Sequence, residues 1–266
     1  VGAPTTASAK ALSLIALTRA VSPDIVNCEL THLLREPIDL TRAVHQHAQY
    51  EETLTSLGCT IERLPALPDN ADSVFVEDMA VLLPQLAVIA RPGAKSRRNE
   101  VSSVADALRA YRQLAFIETP GTLDGGDVLV IGSTIYVGDS TRTNREGIRQ
   151  LAALALREDY EVRSIPVTHC LHLKSAVTQI AEDAVLLNPD WVDASLFAGL
   201  RIIEVDPDEP LAANAFRIGA SIVYGTGFGR TSRRLECAGI EIHHVEMSEL
   251  QKAEGAVTCC SILVQM

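Results

Sequence analysis

The chain has 266 residues, 47% of them hydrophobic, 21% charged and 4% aromatic, with 23 Lys and Arg against 34 Asp and Glu for a net charge of −11. That apolar content excludes a disordered chain, and at this length roughly 70–75% of the unfolded surface can be buried without staples. The acidic balance argues against nucleic acid, because phosphate binders need basic patches, and is mild evidence for a cationic ligand. In chain order, the apolar run Leu14–Leu17 ends at Thr18-Arg19, too short for a membrane span and without a small-residue cleavage site behind it. A helix is predicted over Leu40–Leu57 and a strand over Thr60–Leu64. A hairpin follows from Phe75 to Ala90, with Val74-Phe75-Val76 and Ala80–Leu83 as strand, a turn at Pro84-Gln85, and Leu86–Ile89 as the return. Helical spacing then runs from Asn99 to Arg112, and Leu114–Ile117 reads as a strand.

The same order returns along the chain. Asp127–Tyr136 reads as a hairpin turning at Gly132-Ser133, Asn144–Arg157 as a helix and Tyr160–Pro166 as a strand. Ser175–Leu187, a helix around Trp191–Phe197 and Leu200–Val205 form another copy. Ala215–Tyr224, Ser232–Ala238 and Ile240–Val245 form the next. The last copy closes the chain on itself if Ser261–Val264 pairs with Leu12–Leu17. The period of about 45 residues signals a repeat architecture. Five strand–strand–helix–strand units with tied ends predict an α/β protein, a five-fold pseudo-symmetric α/β propeller of ββαβ units. No Pro/Gly/Ser linker divides it, so residues 1–266 are expected to form one domain; an ordinary α/β sandwich is the alternative.

Candidate chemistry falls at turns and strand ends. Asp72 with Glu77-Asp78 places three carboxylates inside an apolar stretch, costly unless a cation lies opposite. Asp124-Gly125-Gly126-Asp127 suits a tight turn through which backbone can approach a ligand. Arg97 and Arg142 are each ordinary surface residues alone, but as a pair could clamp a carboxylate. His172, flanked by leucines, reads equally as a core histidine or a catalyst. Cys259-Cys260 stands at the start of the last strand, Cys260–Val264, where alternation would send the two thiols to opposite faces. Six scattered cysteines without C-x-x-C fit a cytoplasmic protein with reduced thiols. Gly225-Thr226-Gly227-Phe228-Gly229 has the wrong spacing for a dinucleotide loop, and neither His45 with His47 nor His243 with His244 makes a metal pair.

Taken together, the segments resemble the dimethylarginine dimethylaminohydrolase family of the guanidino-group-modifying (pentein) superfamily. The residues that carry the resemblance are Phe75–Asp78, Arg91–Ala94 with Ser96–Arg98, Thr122–Leu129, Arg142–Asn144, Leu171–Ser175 and Thr258–Ser261, in family order over nearly the whole chain. The resemblance implies hydrolysis of Nω-methylated arginine to citrulline and a methylamine, without a cofactor. It makes Cys259 the nucleophile and His172 the general acid/base, with Asp78 and Asp124 as carboxylates holding the guanidinium and Glu77 beside them. Arg97 and Arg142 would hold the substrate α-carboxylate. Asp72 and the main-chain oxygens of Leu30 and Ala253 would hold the α-amino group, with Pro23–His32 as a lid. The implied partner is a small molecule, with neither nucleic acid nor membrane; the quaternary state, a homodimer included, is left open.

Arginine deiminases of the same superfamily carry an acid two residues after the histidine. Lys174 stands there in this chain, which favours a methylated substrate. Two further alternatives are a non-catalytic pentein like the ribosome anti-association factor, and a zinc protein using Cys259, Cys260 and His172. Adjacent strand cysteines suit the latter poorly, although inhibitory metal binding at a reactive thiolate remains compatible with the residues.

Overall fold

The computed structural model describes residues 14–266. Leu12 and Ser13, at the start of the expected first strand, lie outside them. In chain order the elements are β1 (Leu14–Arg19), α1 (Leu40–Ser56) and β2 (Cys59–Leu64); then β3 (Ala80–Leu82), β4 (Leu86–Ile89), α2 (Val101–Leu108) and β5 (Gln113–Phe116). Next come β6 (Val128–Ile131), β7 (Thr134–Asp139), α3 (Arg145–Ala155) and β8 (Glu161–Pro166). They are followed by α4 (Leu173–Ala176), β9 (Val177–Ala181), β10 (Ala184–Leu187) and β11 (Arg201–Glu204). The chain ends with β12 (Ala215–Ile218), β13 (Ser221–Gly225), α5 (Gly229–Cys237), β14 (Glu241–Val245), α6 (Ser248–Gln251) and β15 (Ile262–Gln265).

These strands form five three-stranded sheets, ordered β15-β1-β2, β3-β4-β5, β6-β7-β8, β9-β10-β11 and β12-β13-β14. In each, the middle strand pairs antiparallel with the first and parallel with the third, the pattern of a hairpin followed by a crossover. The first sheet joins the two ends of the described chain: Leu14 faces Gln265 and Leu17 faces Ile262.

The hydrophobic cores show why the ring closes. One core joins β1 to β3 and β4 through Leu17, Ile262, Ala87 and Ile89; the next joins that second sheet to the third through Val81, Val88, Val128 and Ile135. Tyr136 and Val185 belong to the core between the third and fourth sheets, Leu186 and Ile222 to that between the fourth and fifth. Ala16 and Val223 share the core that returns from the fifth sheet to the first. Every sheet is therefore covered on both faces, and its middle strand must be apolar on both. β4 shows this directly, since Ala87 and Ile89 enter one core and Val88 the next. The continuous run Leu86–Ile89, instead of an alternating one, follows from that position.

Local chemistry sets the connections. Asn144 caps α3 by accepting the Gly147 amide at 2.8 Å, and Ile148, Leu151 and Ala155 supply the buried stripe. The fourth unit departs from expectation: the segment around Trp191–Phe197 is a single 3₁₀ turn, Ala194–Phe197, not a helix. The Asp193 side chain caps it, and Phe197 buries its ring against Tyr136 at 4.8 Å between centroids. Val76–Met79 is likewise a 3₁₀ turn before β3, where a strand was expected, so the acids Glu77 and Asp78 sit on a turn. The first strands of all five sheets line a central cavity of about 300 Å³ through Val81, Val128, Thr178, Ala215 and Ile262.

Candidate active site

The segment that precedes each inner strand carries the polar chemistry. Asp78 lies on the turn before β3, Asp124 and Asp127 around the turn before β6, and His172 at the start of α4 before β9. Asn214 directly precedes β12, and Cys259 lies in the turn before β15. Pseudo-symmetry thus gathers residues more than 180 positions apart around one axis.

Asp78, His172 and Cys259 line one narrow cleft together with Glu29, Asp72, Phe75, Arg97, Arg142, Leu171, Ala253 and Glu254. His172 Nε2 lies 3.2 Å from Asp124 Oδ2, and Nδ1 lies 3.9 Å from Asp78 Oδ1. The other Asp124 oxygen accepts the Gly93 amide at 2.9 Å. Both Asp124 oxygens are therefore engaged, one by the imidazole and one by the Gly93 amide, and the side chain is fully buried. Asp127 accepts the Leu173 amide at 2.9 Å and fixes the residue after the histidine; burial pushes its carboxyl up to about 6. Gly126 is required here, because a Cβ would stand 2.6 Å from His172 Nδ1 and 2.9 Å from Asp78 Oδ1.

Burial alone would drive the imidazolium off His172. Asp78, Asp124 and Asp127 together outweigh it and raise the imidazole from 6.5 to about 9. Asp78 is pushed up by burial, but His172, Arg97 and the Gly126 amide hold it below the ordinary carboxylate value. The Cys259 thiol responds oppositely: burial, then Glu77 and Asp78, push it up to about 12. At neutral pH this electrostatic field favours thiol and imidazolium.

Cys259 and Cys260 are in a turn rather than on the strand, so alternation is not what separates them. The Ala256 amide approaches Cys259 Sγ at 3.4 Å, and Cys259 is partly exposed to the cleft. Cys260 is fully buried and directs its thiol to the Ala256 carbonyl. Glu77, grouped with Asp78 by sequence, turns away into the central cavity. Its oxygens accept Lys174 Nζ at 2.6 Å and Thr258 Oγ1 at 2.8 Å. Lys174 also reaches the Gly125 carbonyl, so it stays out of the cleft. Asn214 completes this floor: its amide bonds the Lys174 carbonyl and Thr258 Oγ1. Sequence reading missed Asn214 and Thr258; the signal that could have found Asn214 is its place before the fourth of the five inner strands.

In the same cleft, Asp72 accepts the Glu29 amide at 3.1 Å, and Arg142 approaches Glu29 at 3.5 Å. Ala253 lines the cleft, whereas the Leu30 side chain packs on the core between the first and fifth sheets. Arg97 connects Asp78 to the Asp72 backbone. It donates to Asp78 at 2.5 Å, to the Asp72 and Phe75 carbonyls, and to Glu100, a buried acid that the sequence reading passed over. Burial lowers the basicity of Arg97, but Glu100, Asp78 and Asp72 more than compensate, so it carries a fixed charge.

Asp78, Asp124 and His172 also offer three ligand atoms within 4.8 Å of one another. Arg97, Gly126 and Gly93 already engage those carboxylates, so the donor set fits an ionised imidazole better than a second cation. The zinc reading fails on geometry, because Cys260 points away from the cleft.

Five ββαβ sheets around a cleft holding a cysteine, a histidine and buried carboxylates define a pentein, the fold of the guanidino-group-modifying superfamily. The family model for eukaryotic N,N dimethylarginine dimethylhydrolase matches residues 30–195. The N(G),N(G)-dimethylarginine dimethylaminohydrolase of Streptomyces coelicolor is 39% identical over 249 residues, covering 93% of this chain and 95% of that one. The Pseudomonas aeruginosa counterpart is 31% identical over 226 residues, covering 84% and 89%. A structure of the Pseudomonas enzyme, a cysteine-to-serine variant complexed with citrulline, superimposes with a TM-score of 0.89, covering 94% of this chain and 98% of that one at 30% identity. The chain belongs to the dimethylarginine dimethylaminohydrolase family.

Proposed function

We propose that the chain hydrolyses Nω-methylated arginine to citrulline and methylamine or dimethylamine, with Cys259 as nucleophile and His172 as general acid/base. The observation that carries the reading is one cleft lined by Cys259, His172 and Asp78 and also by Asp72 and Arg142. The first set suits a guanidinium and the second an α-amino acid. Asp78 compensates the guanidinium charge, Arg142 takes the α-carboxylate, and Asp72 with the Leu30 and Ala253 carbonyls takes the α-ammonium. Arg97, expected beside Arg142, has its nitrogens committed to Asp78, Glu100 and the Asp72 and Phe75 carbonyls and positions Asp78 instead.

A guanidinium beside Cys259 offsets Asp78 and Glu77, the two charges that suppress the thiolate, so substrate binding releases the thiol proton. The thiolate attacks the guanidinium carbon and forms a C–S bond. His172, already protonated, gives its proton to the methylated nitrogen as the C–N bond breaks, leaving a thiouronium on Cys259. The now neutral imidazole takes a proton from water and the hydroxide adds to the same carbon. The C–S bond then breaks as the new hydroxyl passes its proton to the departing sulfur, which leaves citrulline and the Cys259 thiol. Asp124 holds Nε2 throughout and stabilises the imidazolium. Lys174, bound to Glu77, leaves the far edge of the guanidinium without a carboxylate, which accommodates methyl groups.

We read the five units as one catalytic domain and the six free cysteines as those of a cytoplasmic protein; a homodimer is a further reading that sedimentation can test. Among the described residues, no helix is long and apolar enough to cross a membrane. The test is a citrulline assay with asymmetric dimethylarginine, monomethylarginine, arginine and agmatine, beside Cys259→Ser and His172→Ala. Methylated arginines should turn over best and both variants should be inactive. Arginine as the best substrate, or activity surviving in Cys259→Ser, overturns the reading.

A further inference from the structure

The segment that carries Leu30 is fastened over the cleft at three points. Glu254, whose backbone has a left-handed φ of 58°, accepts the amides of Thr31, His32 and Leu33 at 2.5–3.1 Å. The Glu29 amide donates to Asp72. The third fastening is the Glu29 side chain, which bonds Ser96 Oγ and sets its other oxygen 3.5 Å from Arg142 NH1, while Arg142 NH2 donates to Thr31 Oγ1 at 3.2 Å. The Arg142 side chain is 11% exposed and that of Glu29 42%. Arg142 is thus a nearly enclosed guanidinium whose carboxylate partner comes from the half-exposed segment above it.

We propose that Glu29 is an internal counterpart of the ligand α-carboxylate and competes with it for Arg142. This rests on reading Arg142 as the α-carboxylate anchor. One planar guanidinium presents its fork to one carboxylate at a time, so a ligand that takes Arg142 bidentately must turn Glu29 outward. Turning it outward undoes one of the three fastenings of the Glu29–Leu33 segment and leaves the Glu254 and Asp72 contacts in place. Glu29 therefore sets a threshold that a ligand with an α-carboxylate crosses and one without it does not. Its neighbours favour release: Asp72 lies against the Glu29 amide and repels the carboxylate, and the Glu29 side chain has water to move into.

The test is the competitive inhibition constant of citrulline, which has the α-carboxylate, and of (4-aminobutyl)urea, which lacks it. Both are measured for the native chain, Glu29→Gln, Arg142→Ala and the double variant. Glu29→Gln keeps the shape and polarity but removes the charge. Citrulline should bind roughly two- to fivefold more tightly to it, the range of a half-exposed ion pair, and (4-aminobutyl)urea should be unmoved. Arg142→Ala should weaken citrulline, and on that background Glu29→Gln should bring no gain. If Arg142→Ala weakens citrulline while Glu29→Gln leaves it unchanged or weakens it, Glu29 is no competitor, although the anchor reading stands. Weakening in both would instead make Glu29 a ligand for the α-ammonium. If Arg142→Ala leaves citrulline untouched, the anchor reading falls and the competition falls with it.

Discussion

A guanidinium ligand should lower the Cys259 thiol steeply. Without one, burial, Glu77 and Asp78 push that thiol up to about 12. A unit positive charge placed about 4 Å from the sulfur, at an effective dielectric of about 20, contributes about 4 kcal/mol to the thiolate. At about 1.4 kcal/mol per tenfold change, this lowers the pKa by about three, to about 9. The thiolate fraction at pH 8 then rises roughly a thousandfold. The assay is ultraviolet thiolate absorbance against pH, with and without a saturating alkylguanidinium that is not turned over. Cys259→Ser is subtracted to remove the signal of the other cysteines. A ligand-induced drop of about three, absent in Asp78→Asn, where the ligand binds weakly, supports the reasoning. Identical titrations with and without ligand would refute it, because the bound cation would then not offset Asp78 and Glu77 at the sulfur.

Raising His172 from 6.5 to about 9 couples about 3 kcal/mol into folding. That contribution is fully present below pH 6.5 and is lost as pH rises through about 9, so denaturant midpoints should fall over this window, and fall less in His172→Gln. Asp124→Asn should lower the imidazole pKa measured from its ring carbon resonances by NMR, because Nε2 loses a charged acceptor 3.2 Å away; an unchanged value would count against the pairing. Glu100→Ala should cost about 3–5 kcal/mol in urea unfolding, since the buried Arg97 loses the acid that binds two of its nitrogens. Gly126→Ala should fold but lose activity, because its Cβ would displace His172 or Asp78; near-native kcat would show that the close approach is not needed.

The repeat was legible because its signals are local. The helix expected over 144–157 is α3, which the Asn144 side chain caps and Ile148, Leu151 and Ala155 anchor, and the turn expected at Gly132-Ser133 falls on a glycine with a φ of 57°. Where local patterns misled, tertiary demands explain it. Val74-Phe75-Val76 is as apolar as a strand, yet the chain must turn there to bring Asp78 beside Arg97, so Val76–Met79 coils into a 3₁₀ turn. The separation of Cys259 from Cys260 was right in outcome, but its cause is a turn that buries the second thiol. The resemblance puts Asp124 with Asp78; three-dimensional geometry adds that its oxygens also meet the Gly93 amide and His172. Glu29, Glu100 and Glu254 had no signal of type or spacing, since each acts through a partner it meets only in the folded ring, as Glu254 meets Thr31.

The central claim is that Cys259 carries the substrate carbon during turnover. The most direct measurement is acid quenching during the steady state with monomethylarginine, followed by digestion and peptide mass analysis. The account predicts a thiouronium on the peptide containing Cys259 and Cys260, with fragmentation placing it on Cys259, and no adduct in Cys259→Ser. Citrulline formation with no covalent species at any time, or an adduct on Cys260, would contradict it.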